Sequence, residues 1–371
     1  MSNRRQFLQA TAAATAGIFF SRCPLVEAAA AALQSDGKGK RREVSVGGRR
    51  VKTVDIHTHC EVPEVWELVK DYDLGVELRF QLDRPGAGKV ISLANVADRL
   101  RQMDEQGIDV QAVGINPFWY AAERDLVRAI CKLQNEKLAE LVAAHPDRFV
   151  GMATLPLQFP YLAIELLEEG VKKLGMRGAL IGGSVAGQEL SAAKFHPFWA
   201  KAEELGVLIF IHPQTGVFPD REHRFQGNGN LGNVIGNPLE TTIALEHLIF
   251  EGTLDRFPGV KICAAHGGGF FPSYSARSDA CLTQAPANCK PVKKHPSEYL
   301  KQLYFDSLVF TPEALRHLVA EAGASQIVIG TDFPFGWTTR AVDHILETPG
   351  LSDADRRAML GGTAARLLRI S

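Results

Sequence analysis

The amino-acid sequence predicts an α/β fold, a distorted (β/α)8 barrel of the TIM type with a small insertion after its first strand. Three observations carry this. Eight short apolar runs recur from residue 51 onward, helical stretches separate them, and each run ends in polar or small residues. The runs are VKTVDIH (51–57), VQAVGIN (110–116), RFVGMATL (148–155), RGALIGG (177–183), VLIFIH (207–212), VKICAAH (260–266), LYFDS (303–307) and QIVIGTD (326–332). Each is apolar throughout rather than alternating, as parallel strands covered on both faces require. Helical stretches are expected at 95–106, 123–144, 160–174, 196–205, 238–256 and 312–323, with a last pair from about 339 to 368. Segment 267–302 reads as a helical turn or two in otherwise irregular chain. Eight β–α units in a row favour a closed barrel. The competing doubly wound sheet lacks a G-x-G-x-x-G after the first strand.

The 371 residues permit one large domain or two ordinary ones. With 46% apolar and 22% charged residues, the chain has a soluble composition and material for a sizeable core. A net charge of −1 favours neither nucleic acid nor an anionic membrane as partner. Residues 51–371 are the expected barrel domain, with 60–94 as a cap insertion.

Residues 1–42 read differently. Arg4 and Arg5 precede Phe7-Leu8, a short weakly apolar stretch and Ala28–Ala32, and S-D-G-K-G-K-R-R then resembles a linker. This is the pattern of a twin-arginine signal peptide, with an amphipathic first helix as the alternative. It implies the twin-arginine export machinery as a partner and a periplasmic or exported protein. The stretch is too short and alanine-rich for a membrane span. Twin-arginine export carries folded proteins, which suits an enzyme that loads a cofactor in the cytoplasm. The six cysteines contain no C-x-x-C, so a structural zinc finger is excluded. Cys281 and Cys289 share a loop and can pair in an oxidising compartment, although buried or free thiols are the simpler expectation.

Long connections at 60–94, 213–237 and 267–302 follow strand C-termini, the end where barrel active sites lie. The strand ends carry the chemistry. In V-D-I-H-T-H, His57 and His59 stand two apart, on one face of a strand. Alone, such a pair is either half a metal site or two unrelated polar residues. Strand five adds His212, strand six His266 and strand eight Asp332. Imidazole and carboxylate donors suit Zn2+, with Fe2+, Mn2+ or Co2+ as alternatives. The expected division is one ion held by His57, His59, His212 and Asp332, with His266 as acid/base beside it. Among the other histidines only His223, in the strand-five loop, is left open as a substrate contact; the rest read as ordinary structural residues. Asn237-Pro238-Leu239-Glu240 reads as the capped start of a helix, which removes Glu240 from the site. Cys60 is turned away from the histidines by the pleat.

With D-I-H-T-H (55–59), F-I-H-P (210–213), N-P-L-E-T-T (237–242), A-H-G-G-G-F-F-P (265–272) and G-T-D-F-P-F (330–335), the chain resembles the amidohydrolase superfamily from about residue 52 to its end. Within it, the resemblance is to the branch of 2-amino-3-carboxymuconate-6-semialdehyde decarboxylase. No lysine stands in R-G-A-L-I-G-G, which fits a mononuclear site. The resemblance implies a homodimeric, zinc-dependent, non-oxidative decarboxylase acting on a small unsaturated or aromatic carboxylate. In that branch a metal hydroxide adds to the substrate. His266 matches the family's acid/base, and Arg277 matches an arginine that clamps substrate carboxylate, partly across the dimer interface. Two positions depart from the pattern. Only Lys89 stands near the place of a second carboxylate-binding arginine, and Gln214 replaces an aromatic residue after the strand-five His-Pro. The alternative is a metal-dependent hydrolase of a lactone, ester or amide on the same barrel. A non-enzymatic barrel is disfavoured by the number of converging ligands.

Overall fold

The structure, a computed structural model, describes residues 41–72 and 95–371, apart from 118, 215–223, 226, 288 and 290–291. Residues 1–40 of the proposed signal and linker, most of the cap, Lys89 and His223 lie outside the described residues. Residues 42–371 form one compact unit.

Eight parallel strands make the central sheet: β1 (Val54–His59), β2 (Val110–Gly114), β3 (Phe149–Thr154), β4 (Gly178–Gly182), β5 (Leu208–His212), β6 (Lys261–Ala264), β7 (Tyr304–Asp306) and β8 (Ile327–Val328). They pair in chain order from β1 to β8. The ring closes through Ile56 N to Ile329 O (2.9 Å), Asp332 N to His57 O (3.0 Å) and His59 N to Phe333 O (2.7 Å). The fold is therefore the distorted barrel that the eight runs predict.

The apolar runs have two destinations. Phe210, Met152, Leu180 and Val328 fill the barrel interior, while Ile209, Ile211 and Ile181 pack outward on the helices. Both faces of each strand are thus dry, so alternation disappears from the sequence. The outer layer includes α1 (Val96–Gln106), α2 (Arg124–Ala144), α3 (Pro160–Lys173), α4 (His196–Leu205), α5 (Asn237–Phe250), α6 (Phe271–Gln284), α7 (Pro312–Ala322) and α8 (Ala341–Glu347). The last helix, α9 (Thr363–Leu368), sends Ala364, Leu367 and Leu368 into the inner cluster and closes the N-terminal end of the barrel. The opposite end is left for the site.

Three expectations need correction. Segment 267–302 contains a full 14-residue helix, α6, with Pro272 in its first turn. Asn237 is no helix cap. A π-helical turn, Gly232–Gly236, runs straight into α5, and Asn237 has helical angles (φ −63°, ψ −51°). Proline is tolerated there because the widened turn has already opened the hydrogen-bond ladder. Finally, Cys281 and Cys289 are joined in a disulfide, while Cys60, Cys131 and Cys263 are buried free thiols.

Candidate metal centre

The centre starts from an irregularity in β1. Val54 and Asp55 face Val110 and Gln111, but Thr58 faces Val113, so β1 carries one extra residue between Asp55 and Thr58. A bulge re-aims side chains. Val54 and Ile56 belong to the barrel interior, yet His57 and His59 also turn inward. Their Nε2 atoms lie 3.1 Å apart. Asp332 Oδ1 is 3.0 Å from His57 Nε2, 2.9 Å from His59 Nε2 and 3.8 Å from His212 Nε2. Ligand atoms of His57, His59, His212 and Asp332 all lie within 4.8 Å of one another, and all four residues are buried.

A divalent ion fits this set. Both ring nitrogens of His212 are buried without a hydrogen-bond partner. An orphaned buried polar atom costs about 1–3 kcal/mol, and a cation accepting the Nε2 lone pair removes that cost. Burial drives His59 down to about 4 and His212 well below its ordinary value, so both rings are neutral donors at pH 7. Asp332 is pulled well below the usual carboxylate range: burial opposes this, and the surrounding imidazoles overcome it. His57 is the exception. Burial would lower it, but Asp332 and Asp306 flank it and raise it to about 10 in the metal-free site. Three nitrogens and one carboxylate oxygen are a donor set for Zn2+ or a comparable divalent ion.

His266 sits at the outer edge. Its Nε2 is 3.6 Å from Asp332 Oδ2, and its side chain is 15% exposed, against 0% for His57 and 1% for His59. Both His266 (φ 54°) and Asp332 (φ 56°) adopt left-handed backbone, a costly conformation that concentrates at functional sites. Phe335 brings its ring 5.4 Å from that of His59 while remaining 42% exposed.

Asp306, which ends β7, was missed by sequence reasoning. Its buried carboxylate accepts hydrogen bonds from His57 Nδ1 (2.7 Å), His266 N (2.8 Å), Gly267 N (2.9 Å) and Leu308 N (3.0 Å). Fixing Nδ1 as the donor leaves Nε2 free for a metal. A carboxylate at a strand C-terminus is the same signal that singled out Asp332, so LYFDS held the clue. The H-G-G-G motif serves this carboxylate: Gly267 is left-handed (φ 64°), which lets consecutive backbone N–H groups converge on Asp306. Gly330 has a steric role, since a Cβ there would lie 2.6 Å from that of Asp306.

Arg99 is a second omission. It is buried, and it donates to His59 O, Thr58 Oγ1 and Gln111 Oε1, each at 2.8 Å, tying the bulged end of β1 to β2. Glu240 is also repositioned. Instead of capping a helix, its buried carboxylate accepts Gln214 N at 2.7 Å, while Gln214 Nε2 donates to Pro117 O at 2.6 Å. The residue that departs from the family pattern is thus tied down on both sides. Arg277 lies exposed on α6 and, among the described residues, makes no hydrogen bond or ion pair to the histidine cluster.

A closed parallel barrel with a three-histidine, one-aspartate centre at its C-terminal mouth defines a metal-dependent barrel enzyme. Comparison places it further: the amidohydrolase family model matches residues 54–370, and the chain belongs to that family. It is 30% identical to 2-amino-3-carboxymuconate-6-semialdehyde decarboxylase of Dictyostelium discoideum, over 85% of this chain and 91% of that one. It is 32% identical to gamma-resorcylate decarboxylase of Polaromonas sp., over 75% and 89%. Among solved structures, 5-carboxyvanillate decarboxylase of Sphingomonas paucimobilis superposes with a TM-score of 0.79 at 25% identity, covering 86% of this chain and all of that one. A dihydroxybenzoic acid decarboxylase of Polaromonas sp. JS666, solved with bound manganese, matches with a TM-score of 0.74 at 28% identity, covering 86% and 97%.

Proposed function

We propose that this protein is a metal-dependent, non-oxidative decarboxylase of an aromatic or unsaturated carboxylic acid, with one divalent ion per chain. Zinc is the metal we favour from the nitrogen-rich donor set, and the manganese of the related structure keeps a harder ion open to test. The observation that carries the reading is the asymmetry of the centre. Four ligand atoms converge in a dry pocket, and a fifth side chain, His266, stands on the open side with Phe335 across the mouth. His57, His59, His212 and Asp332 would hold the ion. When bound, it supplies a Lewis acid that polarises a substrate oxygen. Phe335 offers its ring to a flat substrate. His266 Nε2 gives its proton to the carbon that bears the carboxylate. The carbon–carboxylate bond then breaks, its electron pair stays with the substrate and restores conjugation, and CO2 departs. Net, a carboxylate and a proton become a C–H bond and CO2, with no oxidant. His266 is then reprotonated from solvent on its exposed side.

Arg277 lies three residues after Tyr274 on α6, on the same face, and Phe270, the residue just before the helix, is exposed as Tyr274 is (38% and 60%). This supports a homodimer in which Arg277 reaches a partner's substrate carboxylate. The Cys281–Cys289 disulfide supports an oxidising compartment, in keeping with export through the twin-arginine machinery to the periplasm. Replacing Arg4 and Arg5 by lysine should hold the protein in the cytoplasm. A native protein that begins at Met1 and stays cytosolic would overturn the export reading.

The deciding experiment measures CO2 release by metal-loaded protein from gamma-resorcylate, 5-carboxyvanillate and 2-amino-3-carboxymuconate-6-semialdehyde. Turnover of at least one without oxygen consumption is expected. Hydrolysis of lactones, esters or amides with no CO2 from any of these acids would favour the hydrolase alternative instead.

A further inference from the structure

Gln214 stands two residues beyond the ligand His212, and its amide lies inside the barrel mouth. The register of β4 and β5 places it there. Gly182 pairs with His212, as Leu180 pairs with Phe210. Paired residues of neighbouring parallel strands face the same side of the sheet. Leu180 and Phe210 face the interior and His212 turns inward to the cluster, so the inner position at the end of β4 belongs to Gly182. That position carries no side chain. A Cβ on Gly182 would lie 2.7 Å from Gln214 Nε2, so the glutamine amide takes the place of an inward side chain of β4. Neighbouring strands are about 4.8 Å apart, which sets the amide beside His212 and within reach of a ring seated at the ion.

The amide is held in one orientation. Its Nε2 donates to Pro117 O, beyond the end of β2, at 2.6 Å. An amide oxygen in that place would face another oxygen, so the carbonyl partner fixes which end is NH2. The backbone is fixed as well. Gln214 N donates to Glu240 at 2.7 Å, and Gly183 lets that side chain approach, since a Cβ there would lie 2.8 Å from Glu240 Cγ. What remains is Oε1. Gln214 is half-buried, and among the described residues its Oε1 takes no hydrogen bond and is open to solvent. A glutamine whose donor end is engaged and whose acceptor end is open acts as an acceptor alone, with its direction set before anything binds.

We infer that Gln214 determines substrate specificity: its Oε1 accepts a hydrogen bond from a hydroxyl or amino group on the ring or unsaturated chain of the substrate. The substrate class is therefore a monocarboxylic acid with a donor group on the side that faces β4. A second carboxylate in that place would meet an oxygen rather than a donor. The inference deepens the decarboxylase reading and rests on it in one respect, that the substrate's own carboxylate is seated at the ion.

Calorimetric titrations of metal-loaded protein with 2-, 3- and 4-hydroxybenzoate and the matching fluorobenzoates test it. Fluorine fills the same position and removes the O–H donor. Every protein titrated carries His266→Asn, so that no CO2 is released during the measurement. With Gln214 intact, at least one hydroxybenzoate should bind about 3–10-fold more tightly than its fluoro partner, the worth of one neutral hydrogen bond, and the ring position identifies where the substrate carries its donor. Gln214→Met, similar in length but without a carbonyl, should abolish that preference. Loss of the Pro117 contact by itself would weaken both members of a pair equally, so the ratio within a pair, not the affinity, reports Oε1. Gly182→Ala, whose Cβ displaces the amide while Gln214 stays, should reduce the same ratio, and metal content shows that each variant is folded. The inference is overturned if no pair shows a preference that Gln214→Met lowers. It also fails if none of these acids binds, and the CO2 assay then decides separately whether the decarboxylase reading stands.

Discussion

Asp306→Asn isolates the contribution of the carboxylate behind the metal centre. The side chain keeps its shape and loses its charge. In the native protein Oδ2 accepts from His57 Nδ1 and His266 N, and Oδ1 accepts from Gly267 N and Leu308 N. All four partners are donors. An asparagine has one oxygen and one NH2 group, so neither flip keeps all four bonds. If the NH2 faces His57, the imidazole is driven to the tautomer with its proton on Nε2, the nitrogen a metal requires. If it faces Gly267 and Leu308, the turn that carries His266 loses its anchor. Loss of such an outer partner typically costs about 10–100-fold in metal affinity. The unsatisfied donors should also cost about 1–3 kcal/mol in the metal-free protein, enough to lower its melting temperature by several degrees. Competition with a chromophoric chelator gives the affinity, and calorimetry of metal-free protein gives the stability. Metal affinity within twofold of wild type would refute the assignment of Asp306 as the group that orients His57.

Further perturbations separate the remaining roles. His212→Ala and Asp332→Ala should each lose the ion, measured by elemental analysis against about one metal per wild-type chain; retention of stoichiometric metal in both would remove them from the ligand set. His266→Asn should keep the metal while turnover falls about 10²–10⁴-fold, the usual worth of a positioned acid/base, and an apo or fully active variant would contradict this in different ways. Arg277→Ala should lower kcat/KM about 10-fold or more, as loss of a charged hydrogen bond would, and mixing it with His266→Asn subunits should restore activity if the arginine crosses a dimer interface. The metal-free protein should lose stability in acid. His59 titrates at about 4 when folded and near 6.5 when unfolded, so its contribution is complete above pH 6.5 and is lost as pH falls toward 4. Asp55, raised by burial to about 6, acts in the opposite sense over the same window, its contribution being greatest at low pH. Melting temperatures of His59→Gln should therefore fall less between pH 6.5 and 4 than those of wild type; identical slopes would show that His59 is not held neutral by the fold.

The barrel was legible because burial on both faces writes itself into local composition. A run such as VLIFIH needs apolar side chains toward the interior (Phe210) and toward the helices (Ile209, Ile211), and no long-range knowledge is required to see it. Four of the cluster's residues were legible for a related reason: in a parallel barrel every strand C-terminus reaches one mouth, so His57, His212, His266 and Asp332 had to meet once the strands were recognised. His59 came with His57 through the two-residue strand period. What the sequence could not show depends on backbone detail and on contacts between distant segments. The bulge in β1 turns the H-x-H inward although Val54 and Ile56 already face that way. The π-helical turn before Asn237 makes an apparent cap into helix interior and releases Glu240 to hold Gln214, 26 residues away in the chain. Asp306 stands 249 residues from His57, and only the closed ring sets its oxygen against Nδ1. Residue types and strand ends pointed to the metal chemistry; tertiary structure decided which nitrogen of His57 is left free for it, because Asp306 engages Nδ1.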